Sequence, residues 1–200
     1  GYAGSFIIFN PSQTTPPLGN SWKPKTGQKY AACFAAHPGP NKDWLITPTI
    51  RVEPGLLFSF FARSVTDFYG LEKIRVGVST TGTNPSDFTI ISEDPHINVP
   101  KNWTHYVFDL AKYENELVHL AINCISNQAF ALLIDDIIIS DAMGSHIFRE
   151  TFENNAKTDE TPRRKIKTTD SQPSENGSKD IMVIEGYNIY RNGALLHTIT

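Results

Sequence analysis

Apolar and polar residues alternate with a period of two along most of this chain, and no segment of useful length keeps a helical period. The pattern is densest from Asp43 to Ile137. Over 56–64, Leu56, Phe58, Phe60 and Ala62 share one strand face, and Leu57, Ser59, Phe61 and Arg63 share the other. The first set is expected in the core; Phe61 beside Arg63 marks the second face as half covered. Over 72–80, Ile74, Val76 and Val78 point in, while Lys73, Arg75, Gly77 and Ser79 point out. Over 117–126, Val118, Leu120, Ile122 and Cys124 point in, and His119 and Asn123 point out. Residues 130–139 are apolar on both faces and are expected at a sheet centre. Shorter runs at 5–9, 30–36, 44–52, 88–92 and 103–110 also read as strands, with Pro48 marking an edge or a bulge. Trp103 opens its strand and is expected in the core.

Turn residues separate these runs. Pro11, Pro16, Pro17, Gly19 and Pro24 forbid regular structure over 10–25, the loop that carries Trp22. Pro95 and Pro100 bracket another loop. The pattern predicts an all-β sandwich. Residues 146–152 can add one more strand. Residues 154–181 are polar and charged, which predicts a linker. Two alternating runs then flank Asn192-Gly193, a strong hairpin signal. Two strands are too few for an independent domain. They dock on the sandwich, dangle, or belong to a domain that extends beyond this sequence.

The bulk numbers narrow the functional classes. A net charge of −3 over 200 residues, with both signs scattered, argues against nucleic acid as a partner. No apolar run approaches the ~20 residues of a membrane span. The start, Gly1-Tyr2-Ala3-Gly4, has no charged-then-apolar leader; if the natural protein is exported, its signal is expected to have been removed. Cys33 and Cys124 each sit in an apolar strand pattern, either as buried thiols or as a disulfide between core strands. His37, His96, His105, His119, His146 and His197 show no metal spacing. No Gly-x-Ser-x-Gly elbow or other catalytic constellation is present, so no enzyme is expected.

Several strings carry a family resemblance. They are Asp43-Trp44-Leu45-Ile46-Thr47-Pro48; the segment from Glu72 to Phe88; Trp103 with Asp109-Leu110 and Tyr113; Val118-His119-Leu120-Ala121; and Ile134-Asp135-Asp136-Ile137. In this order they resemble the cleaved-adhesin domain, also called the choice-of-anchor J domain, of gingipain-type haemagglutinin/adhesin proteins, over roughly residues 5–141. The resemblance implies a jelly-roll β-sandwich, similar to galactose-binding and MAM domains. It also implies a non-catalytic adhesion module that is secreted or on the bacterial cell surface, often with structural calcium. Its expected partners are host extracellular-matrix or cell-surface proteins or glycans, and neighbouring domains of a larger chain. A structural spacer or accessory domain of a secreted peptidase or other multidomain enzyme is the alternative. Residues 184–200 resemble part of a fibronectin type III-like domain. The implied layout is a jelly roll over 1–145, a strand over 146–153 that completes the sandwich either within the chain or by exchange with a neighbour, a linker over 154–181 and a hairpin over 182–200.

Two departures stand out. Family members open with an acidic-aromatic strand of the form Asp-Phe-Glu, which is missing before Phe6; Phe148-Arg149-Glu150-Thr151-Phe152-Glu153 has that character instead. The loop after the first strand also lacks the Asp and Gly that would supply calcium ligands. Asp135 and Asp136, adjacent on a strand, point to opposite faces and cannot share an ion without a bulge; the alternative is that one of them pairs with a Lys or Arg, or accepts backbone N–H groups at a bulge. Calcium takes about six to eight oxygens, so the candidate ligands are Asp135, Asp136, Asp43, Glu150 and Glu153 with loop carbonyls. The candidate ligand-binding residues are the loop aromatics Trp22, Phe68, Tyr69 and Tyr113, with Arg63 and Asp67 as polar partners; each aromatic can equally be a buried loop anchor.

Overall fold

The computed structural model describes residues 5–153, 187–191 and 194–199. Its strands are β1 (Ile7–Phe9), β2 (Tyr30–Phe34), β3 (Asp43–Ile46), β4 (Ile50–Arg51), β5 (Leu57–Ser64), β6 (Glu72–Ser79) and β7 (Thr89–Ile90), followed by β8 (Ile97–Val99), β9 (Thr104–Asp109), β10 (Leu117–Cys124), β11 (Ala131–Ser140), β12 (His146–Glu150), β13 (Tyr187–Arg191) and β14 (Ala194–Ile199). They form two antiparallel sheets packed as a jelly-roll β-sandwich. The first sheet runs β1-β2-β11-β5-β9, with β12 also on β11; the second runs β14-β13-β3-β10-β6-β7, with β4 on β10 and β8 on β6. Among the described residues no helix is long and apolar enough to cross a membrane.

The alternation read from the sequence builds the main core. Leu56, Phe58, Phe60 and Ala62 meet Ile74, Val76, Val78, Leu120 and Ile122 between the sheets. A fully buried phenylalanine such as Phe60 contributes about 2–3 kcal/mol through its removal from water. β11 is central, between β2 and β5. Leu132 and Ile134 face the main core, whereas Ala131 and Leu133 face a second, smaller core on the outside of the first sheet.

Four details differ from the sequence reading. The run at 44–52 is two strands, because Pro48 has no N–H for the ladder. At the break, the Thr47 hydroxyl accepts the Leu120 amide at 3.0 Å. Gly77 and Ser79 point outward as read but are covered there rather than exposed: Phe88 packs on that face, and a Cβ at Gly77 would sit 3.1 Å from the Phe88 Cβ. Trp103 is half-buried against the second core, not in the main one. The loop between Pro95 and Pro100 contains β8, which pairs with Glu72, Lys73 and Ile74.

Two pairings position the rest. β2 covers Ala131 to Ile134 of β11, and β12 of the same chain covers Ile137 to Ser140 along that strand. Between these stretches the β11–β5 register shifts from Asp135 to Ile138, and Asp136 takes φ +47°. This is a bulge, the local device that re-aims side chains. In the second sheet the backbone of β13 pairs with β3, setting Asn188 opposite Ile46 and Arg191 opposite Asp43. The predicted linker over 154–181, the start of the C-terminal hairpin and its Asn192-Gly193 turn lie outside the described residues.

Candidate binding surface

The outer face of the first sheet is apolar because β2 brings Tyr30, Ala32 and Phe34 there, and β11 brings Ala131 and Leu133. The loop before β2 folds over it. Asn10 caps a short 3-10 turn at Pro11–Gln13, and a second turn at Asn20–Trp22 lowers Trp22 onto the sheet. The Trp103 indole N–H donates to the Lys23 carbonyl at 3.1 Å, which fixes the far end of the loop. Tyr30, Ala32, Val65, Ala131 and Leu133 form the floor, with Phe9, Trp22, Phe34 and Trp103 packed on it.

The aromatic rings continue from this floor to the surface. Trp22 stacks on Phe34 at 5.9 Å and meets Phe130 edge-on at 5.9 Å. Tyr69 lies 6.2 Å from Phe130, and Phe68 meets Tyr69 edge-on at 5.0 Å. Exposure rises along the series: Phe130 is 39% exposed, Tyr69 60% and Phe68 83%. The pair sits on the loop after β5, where the Thr66 hydroxyl accepts the Phe68 amide and Gly70, at φ +94°, closes the turn. Lys101 pairs with Asp67 at 2.8 Å beside them. The hydrogen bond from Lys101 holds the Asp67 carboxyl below its ordinary range. Arg63 lies over the Trp103 ring at 5.8 Å, and Lys25 over Phe61 at 4.5 Å.

Of the residues proposed for ligand binding, Trp22, Phe68, Tyr69 and Asp67 therefore gather at one end of the sandwich, and Arg63 lies on the same outer face. Tyr113 does not join them. It follows Asp109, which pairs with Leu57 at the start of β5, whereas Phe68 follows the end of that strand. Tyr113 packs on the main core. Phe130, Lys101 and Trp103 are surface members that the sequence reading did not select. Phe130 opens the most apolar strand, which hid its position at the strand mouth.

The carboxylates divide in the same way. Asp135 faces outward from the first sheet; its Oδ2 accepts the Lys25 amide at 3.0 Å and the Thr26 amide at 3.2 Å, and its Oδ1 accepts the Asp136 amide at 2.8 Å. Asp136 Oδ1 accepts the Thr26 hydroxyl at 2.9 Å and faces Arg149 at 3.4 Å. Glu153 Oε1 accepts the Gln28 and Lys29 amides at 2.7 and 2.8 Å. Glu150 accepts the Phe152 amide. Asp43 lies apart, between the sheets, where its Oδ2 accepts the Asn41 side-chain amide at 2.7 Å. Burial raises the Asp135 carboxyl to about 7 and pushes Glu150 upward.

This arrangement does not fit calcium. Both carboxylate oxygens of Asp135 and the Oε1 of Glu153 accept backbone N–H groups, which an ion at these atoms would displace. A guanidinium faces Asp136. Among the described residues no three His, Cys, Asp or Glu side chains converge on a metal position. The cluster acts instead as a clamp of hydrogen-bond acceptors on residues 25–29, the segment that leads into β2.

A second surface feature is an open cleft of about 810 Å³ on the outer side of the second sheet, lined by Lys42, Trp44, Asn84, Pro85, Ser86, Asn123 and Ile125. Trp44 reaches it because it alternates with the inward Leu45, and its ring packs on Phe88 at 5.1 Å.

No family model matches this sequence, and no curated protein is found to match it. Among solved structures the chain is similar to the K2 cleaved adhesin domain of Lys-gingipain, with 18% identity over 66% of this chain and 81% of that one, at a TM-score of 0.49. It is similar to the K1 cleaved adhesin domain of Lys-gingipain from Porphyromonas gingivalis W83, with 18% identity over 69% and 99% of the two chains, at a TM-score of 0.45. It is also similar to TmCBM61 in complex with beta-1,4-galactotriose, with 12% identity over 70% and 91% of the chains, at a TM-score of 0.43.

Proposed function

We propose that this chain is a non-catalytic recognition module that binds a protein or glycan partner on the patch formed by Phe68, Tyr69 and Phe130, flanked by the Lys101–Asp67 pair. The observation that carries this reading is the exposure of two adjacent rings, 83% for Phe68 and 60% for Tyr69, on a loop anchored to a buried aromatic floor. Exposed rings on a rigid support give contact area at low entropic cost, and a few directed polar groups give orientation. The partner class is host extracellular-matrix or cell-surface protein or glycan, and the setting is a bacterial surface or secreted protein. Both follow from the sequence resemblance. A glycan array and a pull-down against matrix proteins test it, with Phe68→Ala/Tyr69→Ala as the control. Binding that persists unchanged in the double variant moves the site elsewhere.

The second reading is a structural spacer or accessory domain of a multidomain enzyme. It is supported by the backbone pairing of β13 with β3, which ties a segment from beyond the predicted linker into the sandwich. A module with this role shows no ligand in either assay, and its removal alters the folding of its neighbours.

A further inference from the structure

The two cysteines stand on opposite sheets, Cys33 on β2 and Cys124 at the end of β10, and both belong to the main core. Each is at most 1% exposed. Asp43 is the register partner of Cys124, and the Cys33 Sγ lies 3.6 Å from Asp43 Oδ2. Asn41 ties the two sides together. Its side-chain amide reaches the Cys33 Sγ at 3.4 Å, and its backbone N–H donates to the Ser126 carbonyl at 2.7 Å. The Ser126 hydroxyl in turn lies 3.5 Å from the Cys124 Sγ. Both thiols are free in this structure, and Asp43 stands between them: it is the cross-strand neighbour of Cys124, and its carboxylate touches the Cys33 Sγ. Ala31, on the same interior face as Cys33, leaves room for β2 to approach the opposite sheet.

We propose that Cys33 and Cys124 form an intrachain disulfide that pins the first sheet to the second. The oxidant is a disulfide of the thiol-exchange class. One protein thiolate attacks it and releases one thiol. The second thiolate then displaces the other thiol, forming the Sγ–Sγ bond. Two protons leave the cysteines and two electrons pass to the oxidant, which ends as two thiols. The reaction belongs to the open chain. Once the sheets close, burial holds the Cys33 thiol protonated and beyond the reach of exchange partners. The fold selects the pair, and the bond closes a loop of roughly ninety residues, long enough to restrict the unfolded chain strongly.

The test uses the full chain, refolded from denaturant in a glutathione redox buffer and then alkylated under denaturing conditions. The expected result is a monomer with no alkylatable thiol, a proteolytic peptide joining Cys33 to Cys124, and a Tm about 10 °C above that of the reduced chain. The same buffer added to native reduced protein oxidises it far more slowly. A Cys33→Ser/Cys124→Ser variant is expected to melt with the reduced chain and to ignore reductant. If that variant fails to fold, the thiol count of the unaltered chain still decides. Two alkylatable thiols on every refolded chain, or a disulfide joining separate chains, overturns the proposal.

Discussion

Glu153 occupies the space that a side chain at Gly27 would need. Gly27 has φ +58°, and a Cβ built there collides with the Glu153 carboxylate. That carboxylate accepts the next two amides, those of Gln28 and Lys29. Gly27→Ala is therefore expected to lower stability by roughly 1–3 kcal/mol, from the left-handed backbone and the displaced acceptor together. Glu153→Ala is expected to cost about 1–2 kcal/mol by itself. The two changes should combine to less than their sum, because the collision disappears with the carboxylate. Urea melts of the double-mutant cycle measure this; strict additivity would mean that Glu153 does not hold the loop.

Asp135 predicts an unusual slope of stability against pH. Burial outweighs its three amide donors and raises the carboxyl from 3.8 to about 7. The folded chain then binds this proton more tightly than the unfolded chain does. Its contribution is greatest at the acid side and is lost as pH rises from about 4 through about 7, on the order of 2–4 kcal/mol at most. Burial of Glu72 and Glu150 acts with the same sign. Urea midpoints at several pH values should fall across this window in the unaltered protein. Asp135→Asn, which cannot titrate, should flatten the curve; an unchanged slope would assign it to other groups.

The fold was legible because its cause is local. Alternation at Leu56, Phe58, Phe60 and Ala62 is a direct record of which side of β5 meets the core, and β11 announced its central place by being apolar on both faces. The candidate surface was only half legible. Phe68 and Tyr69 stood in a turn-rich loop and could be chosen. Phe130 and Trp103 sit at strand ends, where apolar character does not distinguish a core residue from one at the rim. The clamp on residues 25–29 depends on backbone amides, which every residue but proline carries. No residue pattern could show which amides Asp135 and Glu153 would find. The kind of arrangement is legible at Asp135-Asp136, as a bulge with backbone N–H donors and a basic partner, but the identity of those donors is not.

That use of the carboxylates bears on calcium. Asp135 and Glu153 already accept five amide hydrogen bonds between them, and Asp136 faces Arg149. Calcium takes about six to eight oxygens, and its entry here would strip those donors of their acceptors. The Tm is expected to agree within about 1 °C in millimolar calcium and in chelator. A rise of several degrees with calcium would mean that the cluster rearranges and that the ion, rather than the amides, holds the loop.

Trp22 and Phe68 lie at opposite ends of one ring series and should respond differently to truncation. Trp22 contacts Phe9, Phe34 and Phe130 under the loop, so Trp22→Ala removes packing from the second core. It is expected to lower stability by about 2–3 kcal/mol and to weaken partner binding by loosening the floor beneath Phe130. Phe68 is 83% exposed and touches mainly Tyr69. Phe68→Ala should leave the Tm within about 1 °C while reducing binding at least tenfold, as loss of an aromatic anchor does at a recognition surface. The comparison needs only a thermal melt and a binding isotherm for each variant. If Phe68→Ala destabilises the chain as much as Trp22→Ala does, the exposed pair is a structural extension of the second core, and the recognition patch must be sought at the Trp44 cleft.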